Sequence, residues 1–227
     1  MDRLPALVAA GDVEAILDLS HDCANLEKLC TPEVIQLGID CDIRILANLS
    51  RDRGNMWYRL GYKVMDAAVE AIKRDNARHG YIVMLNLAMD KAKHDRMFQS
   101  GVLDFAVLDT EDALGMVCNM CTSDHFPPVH VPAALAAGVR AAGQSGTRMS
   151  IIGLSLLANL AHTENTPEMI DAAVRATNET DFSSNDSSTR LMGAAVLKNL
   201  ACNDANHRAH KSRGLCARWC RDRTTKL

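Results

Sequence analysis

Five asparagines, Asn48, Asn86, Asn119, Asn159 and Asn199, each stand in nearly the same local phrase. A primary amide donates and accepts hydrogen bonds at once, so a row of amides can pair with main-chain groups whatever side chains those carry. The phrases read ILANLS at 45–50, VMLNLA at 83–88, MVCNMC at 116–121, LLANLA at 156–161 and VLKNLA at 196–201, and the asparagines lie 38, 33, 40 and 40 residues apart. An asparagine near a helix end can also do no more than satisfy local carbonyls. A binding role and a purely structural one therefore both stand open.

Other reactive side chains make weaker patterns. Cys118 and Cys121 form a single CxxC; a structural zinc takes four ligands, and no second CxxC follows, so the pair reads as core packing on one helix face. The set Cys202, His207, His210, Cys216 and Cys220 offers ligand types that zinc accepts, but in the spacing of no zinc module. It reads equally as a short helix, a corner at Gly214 and the start of another helix. A metal-dependent enzyme built on that set is the outlying alternative; no metal and no cofactor is expected. There is no G-x-S-x-G, no H-E-x-x-H and no P-loop, so no catalytic residue is assigned and the chain is not read as an enzyme. His79, His94 and His125 fall near helix ends or corners, where exposure is the default. Trp57-Tyr58 either seals the joint between adjacent units or anchors a partner, as such residues do at hot spots.

The elements that carry these residues repeat. A period near 40 means one supersecondary unit copied in tandem. Apolar residues precede each asparagine at helical spacing, as in Ile35, Leu37, Ile39, Ile43, Ile45, Leu46 and Leu49. Thr31 before Pro32-Glu33 is a helix start, the hydroxyl capping free N–H groups and proline fitting the first turn. Polar corners follow the phrases, and Gly61, Gly101 and Gly214, 13 or 15 residues after their asparagines, predict a repeated corner. Leu46, Leu87, Leu160 and Leu200 are expected to be buried between neighbouring units. Thr177 to Thr189, rich in Ser, Asn and Asp, reads as an insertion loop. No window alternates like a strand, so the chain is all-α.

Helical units of about 40 residues whose longest helix ends in a leucine–asparagine–leucine phrase resemble the armadillo repeat, over roughly residues 30 to 215. The resemblance implies one domain, 1–227: a right-handed α-solenoid of about five armadillo-like repeats, with capping helices at 1–30, repeats at 31–200 and a basic cap or tail at 201–227. It also implies that Asn48, Asn86, Asn119, Asn159 and Asn199 project onto a concave face and hydrogen-bond the backbone of an extended peptide. One or two turns back stand Arg44, His79, Asp112 and Ser155, a mixed surface. The tryptophan that the family often carries one turn before the asparagine is replaced by Arg44, Ile82, Gly115, Ser155 and Ala195. The stretch FPPVHVPAALAAGVRAA at 126–142 further resembles the PUL domain, which implies an adaptor of a ubiquitin-dependent AAA ATPase.

The expected function is thus a non-catalytic protein–protein interaction module for a protein or extended peptide. Its rival is a scaffold subunit packed permanently inside a larger assembly. The net charge of −3 gives no reason to expect nucleic acid, and no small-molecule ligand is expected. Residues 1–50 are acidic and residues 201–227 basic, which can steer a partner or favour head-to-tail contacts. No apolar run reaches the 18 or so residues of a membrane helix, and the acidic N-terminus resembles no secretory signal. Eight cysteines read as reduced core thiols. The expected compartment is the cytoplasm, with nuclear, cytoskeletal or ciliary association as variants.

Overall fold

Helix starts in this chain are set by small polar residues. Side-chain oxygens of Asp12, Asp22, Thr31, Asp42, Thr110, Thr147 and Thr166 each accept a backbone N–H two or three residues on, at 2.9 to 3.4 Å. These contacts satisfy donors that a helix leaves unpaired in its first turn. The Thr-Pro-Glu start expected at 31–33 forms as read and recurs at 166–168.

The computed structural model describes residues 3–51, 57–74, 77–178 and 184–202, with side chains throughout except at 57–61 and 184–186. Every regular element among the described residues is helical. The chain divides into two compact units, Met1–Pro127 and Pro128–Leu227. The first holds α1 (Leu4–Ala10), α2 (Val13–Ser20), α3 (Cys23–Leu29), α4 (Pro32–Asp40), α5 (Ile43–Leu49), α6 (Trp57–Lys73), α7 (Ala77–Leu87), α8 (His94–Gln99), α9 (Val102–Phe105) and α10 (Glu111–Met120). The second holds α11 (Val131–Ala142), α12 (Arg148–Leu160), α13 (Pro167–Asn178) and α14 (Ser184–Cys202).

Helices ending in the repeated phrase stack on one another. In the first unit α2 packs on α5, α5 on α7 and α7 on α10; in the second, α12 packs on α14. We call these the ladder helices. A second set lies against them, α4 on α5, α6 on α7, α11 on α12 and α13 on α14. The core sits between the two sets. Leu46, Leu87, Leu160 and Leu200 are 0, 2, 3 and 3% exposed, as the repeat predicts.

Glycine does a different job from the one its spacing suggests. Gly101 is a corner, at φ +70° between α8 and α9, but Gly61 lies inside α6 and Gly214 is outside the described residues. The recurrent glycine is six residues before the asparagine, at Gly80, Gly153 and Gly193. A Cβ on Gly80 would stand 2.6 Å from the Ala68 carbonyl oxygen, and one on Gly193 2.9 Å from that of Ala173. On Gly153 it would stand 2.7 Å from the Ala142 nitrogen. Glycine is therefore where the paired helices cross backbone to backbone. The third copy has Ala113 here, and the helix before it is the four-residue α9, ending short of the apolar run that continues to Leu108.

Three more expectations change. Residues 1–30, expected as two short capping helices joined near Gly11-Asp12, hold three helices among the described residues, and α2 itself ends in AILDLS, the phrase with Asp18 in the asparagine's place. Most of the expected loop from Thr177 to Thr189 is helix: α13 runs through Asn178, α14 begins at Ser184, and Thr189 is buried. No disulfide forms among the described cysteines, yet Cys23, Cys41 and Cys202 are exposed, so the thiols do not all belong to the core. No helix among the described residues is long and apolar enough to cross a membrane.

Candidate binding surface along the ladder helices

Each asparagine stands near the end of its helix, and all five are half-buried. The structure ties four of them to the helix before. Asn48 Nδ2 donates to Ser20 Oγ at 2.8 Å and Asn86 Nδ2 to Ser50 Oγ at 2.9 Å. Asn119 Nδ2 donates to the Leu85 carbonyl at 3.3 Å and Asn199 Nδ2 to that of Ala158 at 2.8 Å. The two serines in turn donate to the Leu17 and Ala47 carbonyls, both at 2.7 Å. One amide N–H thus serves as a brace between successive copies. For these four residues Oδ1 accepts nothing among the described residues, which leaves a carbonyl edge for a donor from outside. Asn159 holds the equivalent place on α12.

Arg44, one turn before Asn48, lies at the N-terminal end of α5. Its guanidinium contacts Asp42 at 2.6 Å and reaches back to Glu14 on α2 at 3.1 Å. Partial burial raises the Asp42 pKa, but hydrogen bonds from the Arg44 guanidinium and N–H outweigh that and leave the carboxyl below its ordinary value. The same hydrogen bond raises Arg44 further. Exposed pairs of this kind contribute little stability; here they fix where the charges lie.

His79 on α7 is half-buried and feels Asp42, Arg44 and Asp112, so α5, α7 and α10 share one polar row. Burial lowers its pKa, the neighbouring Arg78 charge adds to this, and Asp42 and Asp112 oppose it. Below the ordinary value near 6.5 the unfolded chain therefore binds a proton that the folded chain refuses. Stability should fall as pH drops from about 6.5 through the folded-state pKa. His79→Gln should lose less stability than the wild type over that range, as read from urea midpoints at several pH values; parallel curves would remove the effect.

Of the remaining candidates, Ser155 turns its hydroxyl back to the Ile151 carbonyl at 2.8 Å and toward Met192 Sδ at 3.2 Å. His94 departs from the exposure expected of it: it is 1% exposed and its Nε2 donates to the Ala88 carbonyl at 2.7 Å, closing the end of α7. Burial pushes the Cys118 thiol up to about 11 and Cys121 higher still, so both stay protonated at neutral pH. Among the described residues no group of three His, Cys, Asp or Glu side chains could hold a metal. His207, His210, Cys216 and Cys220 lie outside those residues, as do the side chains of Trp57 and Tyr58.

Asp18 and the acceptors Ser20 and Ser50 were missed by reading for asparagine alone. The signal was present, since AILDLS at 15–20 shares with ILANLS at 45–50 its closing Leu-Ser and has the acid Asp18 in the place of Asn48.

No protein-family model matches the sequence, and no curated protein does. Solved structures do. A designed armadillo repeat protein in complex with the peptide (KR)4 superposes with a TM-score of 0.57 at 14% identity, over 88% of this chain and 86% of that one. Computationally designed armadillo repeat proteins for modular peptide recognition give 0.58 at 13% identity, over 87% and 86%. An engineered protein gives 0.57 at 17% identity, over 86% and 84%. The fold is that of the armadillo repeat, an all-α solenoid.

Proposed function

We propose that this armadillo-like chain is a non-catalytic protein-interaction module that holds an extended partner segment against its ladder helices. One observation carries the reading. The asparagines keep one register through copies of different sequence, and the four with assigned bonds leave their Oδ1 edge unused. Within the first unit the half-buried amide carbonyls of Asn48, Asn86 and Asn119, on helices packed in succession, suit the N–H groups of an extended chain. The reading is supported by two solved structures of this fold, one described as a complex with the peptide (KR)4 and one as designed for modular peptide recognition.

The braces favour a second reading. If the asparagines serve only to join copies, the chain is a scaffold subunit whose outer helices are buried in an assembly. To separate the two, peptides would be selected on the full chain from a displayed random library and rebound to an Asn86→Ala/Asn119→Ala double variant. Each neutral hydrogen bond is worth about 0.5–1.5 kcal/mol, so binding should weaken by roughly 1–3 kcal/mol with helicity nearly unchanged. Full affinity in the double variant, lost instead on changing the exposed Tyr62 of α6, would hand the function to the scaffold reading.

A further inference from the structure

We infer that the groove between α4 and α6 is a self-association surface, where two copies of this chain meet about a two-fold axis. The groove has a volume of about 930 Å³ and lies wholly in the first unit. Its walls are the last turn of α4, the start of α5 and the exposed side of α6. None of the five repeat asparagines lines it, so this surface goes beyond the binding reading above.

The lining has the chemistry of half a contact. Ile39 of α4 and Ala67 and Ala71 of α6 lie half-buried along it as an apolar floor. Most charges around that floor are already paired. Arg44 holds Asp42, Arg96 holds Asp66 at 3.3 Å, and Lys73 and Arg74 hold Glu70 at 3.1 and 3.7 Å. Two exposed charges are not. Asp40, which ends α4, receives the Gln36 amide at 2.9 Å but no cation among the described residues. Lys63, on the α6 wall, has no ion pair among them either.

One free acid on one wall and one free base on the other select the occupant. A partner of a single charge sign would satisfy one wall and repel the other. In a two-fold contact residue i meets residue j of the other copy while j meets i, so a surface of this kind completes itself. Asp40 of each copy then meets Lys63 of the other, and the two apolar floors close on one another. Tyr62, 64% exposed, stands at the rim, where Arg96 reaches both its ring, at 5.8 Å, and Asp66. Exposed tyrosine beside an apolar floor is the usual anchor of such an interface.

The test is the mass of the full chain in solution across a concentration series, with reductant present because the exposed Cys41 lines the groove. The wild type should pass from one copy to two as concentration rises, and stop there. Asp40→Lys sets two cations across the contact and Lys63→Asp two anions. Each reversal counts twice about the axis, so either alone should weaken the dimer at least about tenfold. Both positions are exposed, and unaltered helicity confirms that the variants fold. Mixed in equal amounts, the two single variants should pair with each other. The double variant Asp40→Lys/Lys63→Asp, which restores opposite charges, should dimerise like the wild type. A mass of one copy at every concentration, a dimer indifferent to both reversals, or a mass that climbs past two copies would overturn the two-fold contact, and each would leave asparagine-dependent peptide binding standing.

Discussion

Replacing Leu46 by alanine should cost about 2–5 kcal/mol of folding stability, the usual range for truncating a fully buried leucine. Leu46 is 0% exposed, and its Cδ2 lies 2.7 Å from where a Cβ on Gly38 would stand. The α4 backbone is thus already against the leucine, and the wall opposite the new cavity is main chain, which collapses poorly. The upper half of the range is the expectation, read as a shift of the urea midpoint at constant slope. The pattern of damage matters as much as its size. In a repeat stack each copy touches only its neighbours, so hydrogen exchange should quicken in α2, α4, α5 and α7 and hardly change in α13 and α14. Equal loss of protection everywhere would contradict a quasi-linear stack.

Gly153→Ala should be destabilising although alanine is the better helix former. The gain from propensity is at most about 1 kcal/mol. Against it, the new Cβ would stand 2.7 Å from each of Ala141 Cβ, the Ala142 nitrogen and the Gly138 carbonyl oxygen. Two of those three are backbone atoms of α11 and cannot rotate away, so the helices must part. Overpacking of this kind costs roughly 1–3 kcal/mol, which exceeds the gain. Gly115→Ala makes the control: its contact is a leucine methyl, and the variant should be neutral or slightly stabilised. A more stable Gly153→Ala, measured by the same midpoints, would mean that α11 and α12 do not cross as closely as described.

The parts legible in the sequence are those where one residue type has one physical use. A leucine two residues before an asparagine, or directly after it, has no reason to recur except burial, and Leu46, Leu87, Leu160 and Leu200 are buried. Threonine before Pro-Glu is a helix start for equally narrow reasons. Glycine is ambiguous, because a left-handed turn and a close helix crossing both favour it. The spacing after the asparagine picked out Gly101 correctly and Gly61 wrongly, while the crossings at Gly80, Gly153 and Gly193 passed as ordinary helix interior. The amide was ambiguous in the same way. Its brace depends on the acceptor being Ser20, Ser50 or a carbonyl, and these lie 28 to 41 residues away. His94 was misjudged because a corner position says nothing about whether an aromatic neighbour such as Phe98, 6.2 Å away centroid to centroid, closes over it.

The braces give the first unit a grammar. Every amide speaks backward: Asn119 needs α7, Asn86 needs α5 and Asn48 needs α2, while Asp18 on α2 has no N–H to offer. Shortening from the front would leave an amide without its listener, whereas shortening from the back removes a speaker and leaves behind the Ser20 and Ser50 hydroxyls, still engaged in their own helices, and the Leu85 carbonyl at the end of α7. Two dialects also exist, since Asn48 and Asn86 address a serine hydroxyl but Asn119 addresses a main-chain oxygen. A duplicated copy would be understood at once only where its dialect matches its predecessor's, so the order of these copies is written into the joints as well as into the cores.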